Sequence, residues 1–442
     1  MYFSAISSSF KPFGCVARIS GRRIGGLPDP VASFCDNGFL TERHPPMPLQ
    51  FADRLDNCET SAIRELFKLL GKPGIISFAG GFPDPAMFDL EGIQQATRDV
   101  LHGPAAGQVL QYGATEGWNP LREALSTHMA SKGISAKPEE IICTTGSQQA
   151  LDLIGKTMIN PGDKVIMEGP TFLATIQCFR LYGADVVSAP IDADGVKVDV
   201  LEQLIIEHKP RFIYLIPTFG NPSGALLSLA RRKRVLELAV KYQVLVVEDD
   251  PYSELYFGKT PPPPSMMSLS QDVPGSREWL VYCGSFSKVL SPGLRVGWMI
   301  APPALLANAV MCKQFSDAHT SNLTQAIAAQ YLGLKRMDAA LDVVRKNYAE
   351  RAQTMADCLK KDLGDAIAFS QPQGGMFFWT RLTAPGADAA EFAKRAIEKL
   401  VAFVPGAPFY ATQPDRATLR LSFATADVEK IREGVGRLGM AI

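Results

Sequence analysis

The stretch Ser285-Phe286-Ser287-Lys288-Val289-Leu290-Ser291-Pro292-Gly293-Leu294-Arg295-Val296-Gly297 gathers a lysine, the nearby hydroxyls of Ser285 and Ser287, and an arginine. A lysine amine condenses with an aldehyde to give an imine, and hydroxyls with a guanidinium fork suit the oxygens of a phosphate monoester. A lone lysine in a polar loop is usually just solvated; here its neighbours point to chemistry. A second group, Thr145-Gly146-Ser147-Gln148, stands where an apolar run gives way to a helical pattern. Free amides and the positive end of the helix dipole make such a junction an anion seat, although Ser147 could equally act there as a plain helix cap. Glu248-Asp249-Asp250-Pro251-Tyr252 closes another apolar run. That puts carboxylates at a sheet's carboxyl edge, where acidic loops are usually just solvated. Asn221-Pro222-Ser223-Gly224 is by itself an ordinary turn. Arg420 interrupts the apolar pattern 419–423, where an unpaired charge would be costly, so an anion should meet it: a ligand carboxylate or a structural ion-pair partner.

The elements that carry these groups follow from the hydrophobic pattern. Short β-rich runs at 141–145, 164–168, 184–189, 212–216, 244–248, 280–283 and 296–300 alternate with helical patterns such as 148–158, 200–208 and 229–242. Seven strands alternating with helices predict an α/β domain with a mainly parallel sheet covered on both faces, which receives ligands at the carboxyl ends of its strands. A helical stretch at 304–334 and a long amphipathic pattern at 338–363 lead into 375–379, 389–400 and 419–423, giving a smaller α+β domain. The expected division is an atypical extension at 1–46, an N-terminal arm or helix at 47–85, a large cofactor-binding domain at 86–335 and a small domain at 336–442. The proline run at 261–264 should only stiffen a surface connection.

The 442 residues carry 45 basic and 45 acidic side chains with 46% hydrophobic content, so neither a nucleic-acid partner, an anionic membrane nor disorder is indicated. Apolar runs are strand-length, short of the ~20 residues that a membrane span needs. Eight cysteines with no Cys-x-x-Cys pair suit a reducing compartment, and a cytoplasmic protein is expected. Five scattered histidines lack ligand spacing, and no metal site is expected. Residues 1–46, rich in Ser, Gly and Pro with no acidic residue before Asp29, have a transit-peptide-like composition; a true start at Met47 or a disordered tail fits as well.

The Lys288 stretch and the four other motifs, taken in their order along the chain, resemble the fold-type I pyridoxal-phosphate aminotransferases of class I/II over roughly 55–440. The resemblance implies that Lys288 carries pyridoxal 5'-phosphate as an imine and later shuttles a proton between the substrate α-carbon and the cofactor. It assigns the phosphate to Ser147, Gln148, Ser285, Ser287 and Arg295, the ring nitrogen to Asp249, and the phenolate oxygen to Tyr252 and Asn221. Phe172 stands where many relatives stack a tyrosine, so any role of that hydroxyl is absent. Tyr112 resembles a tyrosine that reaches a phosphate across a dimer interface, which implies a homodimer with shared active sites. Arg420 is implied to grip the substrate α-carboxylate, with Asn221 assisting.

Ile63-Arg64-Glu65, the run 78–83 and Gly374-Gly375-Met376 are similar to the 2-aminoadipate/kynurenine aminotransferase subgroup. That similarity puts Arg64 on a mobile helix, facing a side-chain carboxylate or merely solvent, and lets Gly80 and Gly81 approach the substrate closely. The expected reaction moves the amino group of an L-amino acid to a 2-oxo acid, 2-oxoglutarate first, by a ping-pong course. A β-lyase on the same scaffold is the rival, separated by whether amino transfer is stoichiometric. An effector-sensing regulator is a further alternative, for which 1–46 offers no helix-turn-helix pattern.

Overall fold

The computed structural model describes residues 49–55 and 73–442. The extension at 1–46 and Arg64 lie outside the described residues. The first strand, β1 (Ile76–Ser77), pairs in parallel with a later one, β12 (Val401–Ala402), tying the entering chain to the C-terminal part.

All seven strands expected from the sequence form one sheet, and an eighth extends it. In chain order they are β2 (Ile141–Thr144), β3 (Lys164–Gly169), β4 (Asp185–Asp192), β5 (Gly195–Val196), β6 (Phe212–Leu215), β7 (Leu245–Asp250), β8 (Leu280–Ser285) and β9 (Gly297–Ile300). Their order across the sheet is β2-β9-β8-β7-β6-β3-β4-β5. The added β5 is a two-residue return against the end of β4, too short to leave a periodic signal. Strands β4, β3, β6, β7 and β8 are parallel neighbours, whereas β9 runs antiparallel to both β8 and β2. Strands β2, β6, β7, β8 and β9 are buried along their whole length, which is why they read as continuous apolar runs rather than alternating ones.

The expected helical stretch at 304–334 is two helices, Pro303–Ser316 and Asn322–Gly333. Between them Ala318 takes a left-handed φ of 61°, and Ser321 caps the second helix by accepting from the Thr324 amide. The break lets Asp317 turn back to the amine of Lys313 at 2.8 Å.

The C-terminal part builds a four-stranded antiparallel sheet, β10 (Ile367–Phe369), β11 (Phe377–Leu382), β13 (Val404–Pro405) and β14 (Thr418–Ser422), in the order β10-β11-β14-β13. Strand β11 begins at Phe377 rather than at Gly375, whose φ of 74° is left-handed. The long helix Met337–Asp362 packs along Val428–Gly439, which also contacts β1 and β12. No helix among the described residues is long and apolar enough to cross a membrane.

Candidate active site

The sheet topology explains how residues 150 positions apart in sequence meet. Strands β2, β3, β6, β7 and β8 all end at one edge, and antiparallel β9 starts there, with Gly297 in register with Thr144 on one side and Ser285 on the other. Arg295, which precedes a strand, therefore arrives at the same edge as the groups that follow strands.

Gly146, at φ 78°, is the N-cap of helix Ser147–Met158. Ser147 is thus the first helical residue and makes no side-chain cap bond, contrary to its reading as a plain cap. Its amide and that of Gln148 are among the free N–H groups of a helix start. Arg295, itself left-handed at φ 52°, donates from Nη2 to the Thr145 carbonyl at 3.0 Å. A Cβ added to Gly146 would lie 2.7 Å from that Nη2, so only glycine leaves room for the guanidinium. The Ser285 hydroxyl donates to Ser287 Oγ at 2.9 Å and accepts from the Ser287 amide at 3.1 Å. Hydroxyls, free amides and a guanidinium at one helix start make a cradle that could hold a phosphate monoester. Behind it, Gln149 Oε1 accepts from the Thr145 amide at 2.8 Å and from fully buried Lys313 at 3.0 Å.

Lys288 donates from Nζ to the Gly81 carbonyl at 2.8 Å. Burial, with the positive charges of Arg420 and Arg295 adding, holds its amine down at about 8. Asp249 is 2% exposed; its Oδ2 accepts from the Tyr214 hydroxyl at 2.7 Å, while its buried Oδ1 has no partner among the described residues. Burial pushes this carboxyl up to about 7, with the Tyr214 hydrogen bond opposing and Asp250 adding. A buried, unpartnered carboxylate oxygen is expensive, and a ring N–H arriving there would relieve it. Asp250 has a structural role instead, accepting from Tyr282 at 2.9 Å and Ser253 at 2.8 Å. The Tyr252 hydroxyl lies within hydrogen-bond reach of Asn221, and burial raises its ionisation above the ordinary tyrosine range.

Arg420, 3% exposed, donates from Nη1 to Asn221 Oδ1 and from Nη2 to the Ala79 carbonyl, both at 2.7 Å. Its guanidinium sits against the rings of Phe377 and Phe409, at 4.4 and 5.0 Å from their centroids. Among the described residues no carboxylate pairs with it, and its Nε has no acceptor. Burial lowers its guanidinium to about 10, which leaves it charged at neutral pH. A buried cation held in place by neutral acceptors is arranged to receive an anion. Gly81 borders it: a Cβ there would stand 3.7 Å from both Nη atoms.

Phe172 precedes helix Leu173–Leu181 as its N-cap and is half-buried after β3. Tyr112 is 84% exposed, with its ring edge-on to His319 at 5.8 Å. The sequence pointed to neither Tyr214 and Thr175, which back Asp249, nor Lys313 and Asp317, which brace the cradle. Tyr214 lies in an apolar strand and Lys313 in a helical pattern, so both carried the signals of ordinary scaffold.

Residues 79–438 match the family model for aminotransferase class I and II. The chain is 44% identical to the 2-aminoadipate transaminase of Thermus thermophilus, over 87% of this chain and 94% of that protein. It is 40% identical to aromatic-amino-acid aminotransferase 1 of Thermococcus litoralis, over 89% and 94%. Among solved structures it resembles the kynurenine aminotransferase of Pyrococcus horikoshii, in complex with PMP, with a TM-score of 0.83 and 38% identity over 88% of this chain and 96% of that one. The α-aminoadipate aminotransferase of Thermus thermophilus, complexed with N-(5'-phosphopyridoxyl)-L-leucine, gives a TM-score of 0.81 and 42% identity over 88% and 96%. This chain belongs to the class I and II aminotransferases.

Proposed function

We propose that the chain is a pyridoxal-5'-phosphate-dependent aminotransferase that moves the amino group of an L-amino acid to a 2-oxo acid, with 2-oxoglutarate as an acceptor. The observation that carries this is the convergence, at one sheet edge, of the Lys288 amine, the unpartnered Oδ1 of Asp249 and the carboxylate-free guanidinium of Arg420. When bound, the cofactor supplies an aldehyde that condenses with amines and a protonated ring that draws electrons from the substrate α-carbon.

The residues present fit that group. The cradle of Gly146, Ser147, Gln148, Ser285, Ser287 and Arg295 would hold its phosphate. Asp249 Oδ1 would accept the ring N–H; Tyr252 and Asn221 would flank the phenolate oxygen, and Phe172 would cover a ring face. Arg420 holds the substrate α-carboxylate with its remaining N–H groups, and Asn221 fixes the plane of that guanidinium. The Lys288 amine, with its proton affinity reduced to near neutrality, takes the proton from the substrate α-carbon and returns it at the neighbouring carbon. Catalytic roles thus fall to Lys288, Asp249 and Tyr252.

Relatives active on aminoadipate, aromatic amino acids and kynurenine support a side-chain pocket tolerant of acidic and aromatic groups, and we place this chain in that subgroup. We further propose a large domain over 86–335 and a small one over 336–442, a cytoplasmic setting, and a homodimer in which exposed Tyr112 reaches the neighbouring copy's phosphate. Adding amino acids one at a time (2-aminoadipate, glutamate, leucine, phenylalanine, kynurenine) to the cofactor-loaded protein tests the reading by absorption. A substrate converts the visible band to a near-ultraviolet one with stoichiometric 2-oxo acid. Release of pyruvate and ammonia from β-substituted substrates without that conversion would favour the lyase, and no visible band after reconstitution would refute both.

A further inference from the structure

Among the described residues, the one hydrogen-bond partner of the Asp249 side chain is a hydroxyl on the neighbouring strand. Tyr214 on β6 and Thr175 on the helix Leu173–Leu181 are both fully buried, and their hydroxyls form a directed chain. Thr175 Oγ1 donates to Tyr214 at 3.2 Å, and Tyr214 donates to Asp249 Oδ2 at 2.7 Å. A phenol has a single proton, so a tyrosine that gives it to the carboxylate can only accept from the threonine. The order of donation is therefore fixed, and each link polarises the next. Phe179 holds the Tyr214 ring edge-on at 6.0 Å, which restricts the direction of its O–H.

From this geometry we infer that Tyr214 is a positioning residue: it keeps Asp249 ionised and leaves Oδ1 alone to face the ring nitrogen of the cofactor. The inference rests on the proposed function. A carboxylate in a dry site loses hydration that favours its charged form, and without a donor it would take the proton that the ring nitrogen must keep. The phenol supplies that donor at the oxygen remote from the ring, and Thr175 strengthens it. The other titratable groups facing this assembly are Asp250 on β7, Cys283 on β8, Glu168 on β3 and Tyr252. None of these supplies a proton to Asp249 Oδ2, so the phenol carries that role.

The test is the nitrogen resonance of ¹⁵N-labelled pyridoxal phosphate bound to the wild type, Tyr214→Phe, Thr175→Val and Thr175→Ser, followed across pH. A hydrogen bond to an ionised group is typically worth about ten- to a hundredfold in an equilibrium. Tyr214→Phe should therefore lower the pH at which the ring nitrogen is half-protonated by about one to two units. Thr175→Val should move it the same way by less, and Thr175→Ser, which retains the hydroxyl, should restore the wild-type value. If Tyr214→Phe does not fold, the Thr175 pair carries the same comparison. Coincident titrations for all variants would overturn the inference alone, whereas a neutral ring nitrogen in the wild type would overturn with it the role proposed for Asp249. Failure of the wild type to bind the cofactor would overturn the proposed function and the inference with it.

Discussion

Gly297→Ala puts a methyl group where the phosphate cradle is tightest. A Cβ at 297 would stand 2.6 Å from the carbonyl carbon of Gly146, and 2.8 Å from both its Cα and the Ser147 nitrogen. All three are backbone atoms, so no side chain can swing aside. Ordinary contact begins near 3.4 Å, so one segment must retreat by about 0.8 Å. Gly297 is in register with Thr144 and with Ser285, which leaves the turn at Gly146 as the part that yields. Overpacking of this kind costs about 1–3 kcal/mol, and about 1.4 kcal/mol is tenfold in affinity. The expected result is a roughly ten- to hundredfold weaker dissociation constant for pyridoxal phosphate. Absorbance titration of apo-protein with pyridoxal phosphate and with phosphate-free pyridoxal separates the cause. The substitution should erode the preference for the phosphorylated form and leave the affinity for pyridoxal nearly unchanged. An unaltered ratio of the two constants would refute the view that Gly297 sets the shape of the cradle.

Lys288→Ala should abolish steady-state amino transfer while thermal unfolding stays close to wild type; normal turnover would end the mechanism. Arg420→Lys keeps the charge but loses the planar fork, and kcat/KM for amino acids should fall about ten- to a hundredfold through KM. Rapid-mixing absorbance should show apo-protein capturing pyridoxal phosphate at a rate that rises with pH and levels off above about 8, because only the neutral Lys288 amine attacks. Arg420→Met removes one of the positive charges that depress that amine, so the midpoint should move to higher pH; a midpoint that falls would contradict the assigned cause.

The sequence made the large sheet legible because buried strands are continuous apolar runs, and the site legible because its groups punctuate their ends. Lys288, Asp249 and Ser147 could each be placed at a strand's carboxyl end from the pattern alone. Strand direction left no such mark. Val296 and its successors look like any other apolar run, yet only an antiparallel β9 brings Arg295 to Gly146. Hydrogen-bonded support was equally silent, since Tyr214 in an apolar strand has the composition of core packing and only the fold shows its hydroxyl meeting Asp249. The break at Ala318 escaped because apolar spacing continues on both sides, whereas a left-handed φ in a non-glycine residue has no periodic signature.

The antiparallel insertion of β9 between β2 and β8 also sets a timetable for assembly. Thr144 leaves the ribosome some 150 residues before its partner Gly297, so the two halves of the proposed phosphate cradle can meet only after that intervening chain has been made. Contacts of such separation form late, after local helices and hairpins. A nascent chain that ends before 297 has helix Ser147–Met158 and its free amides but lacks the last strand of the register, and so has no finished cradle. Cofactor capture should therefore report that nearly the whole large sheet has closed, and excess cofactor should not rescue a chain arrested before that point.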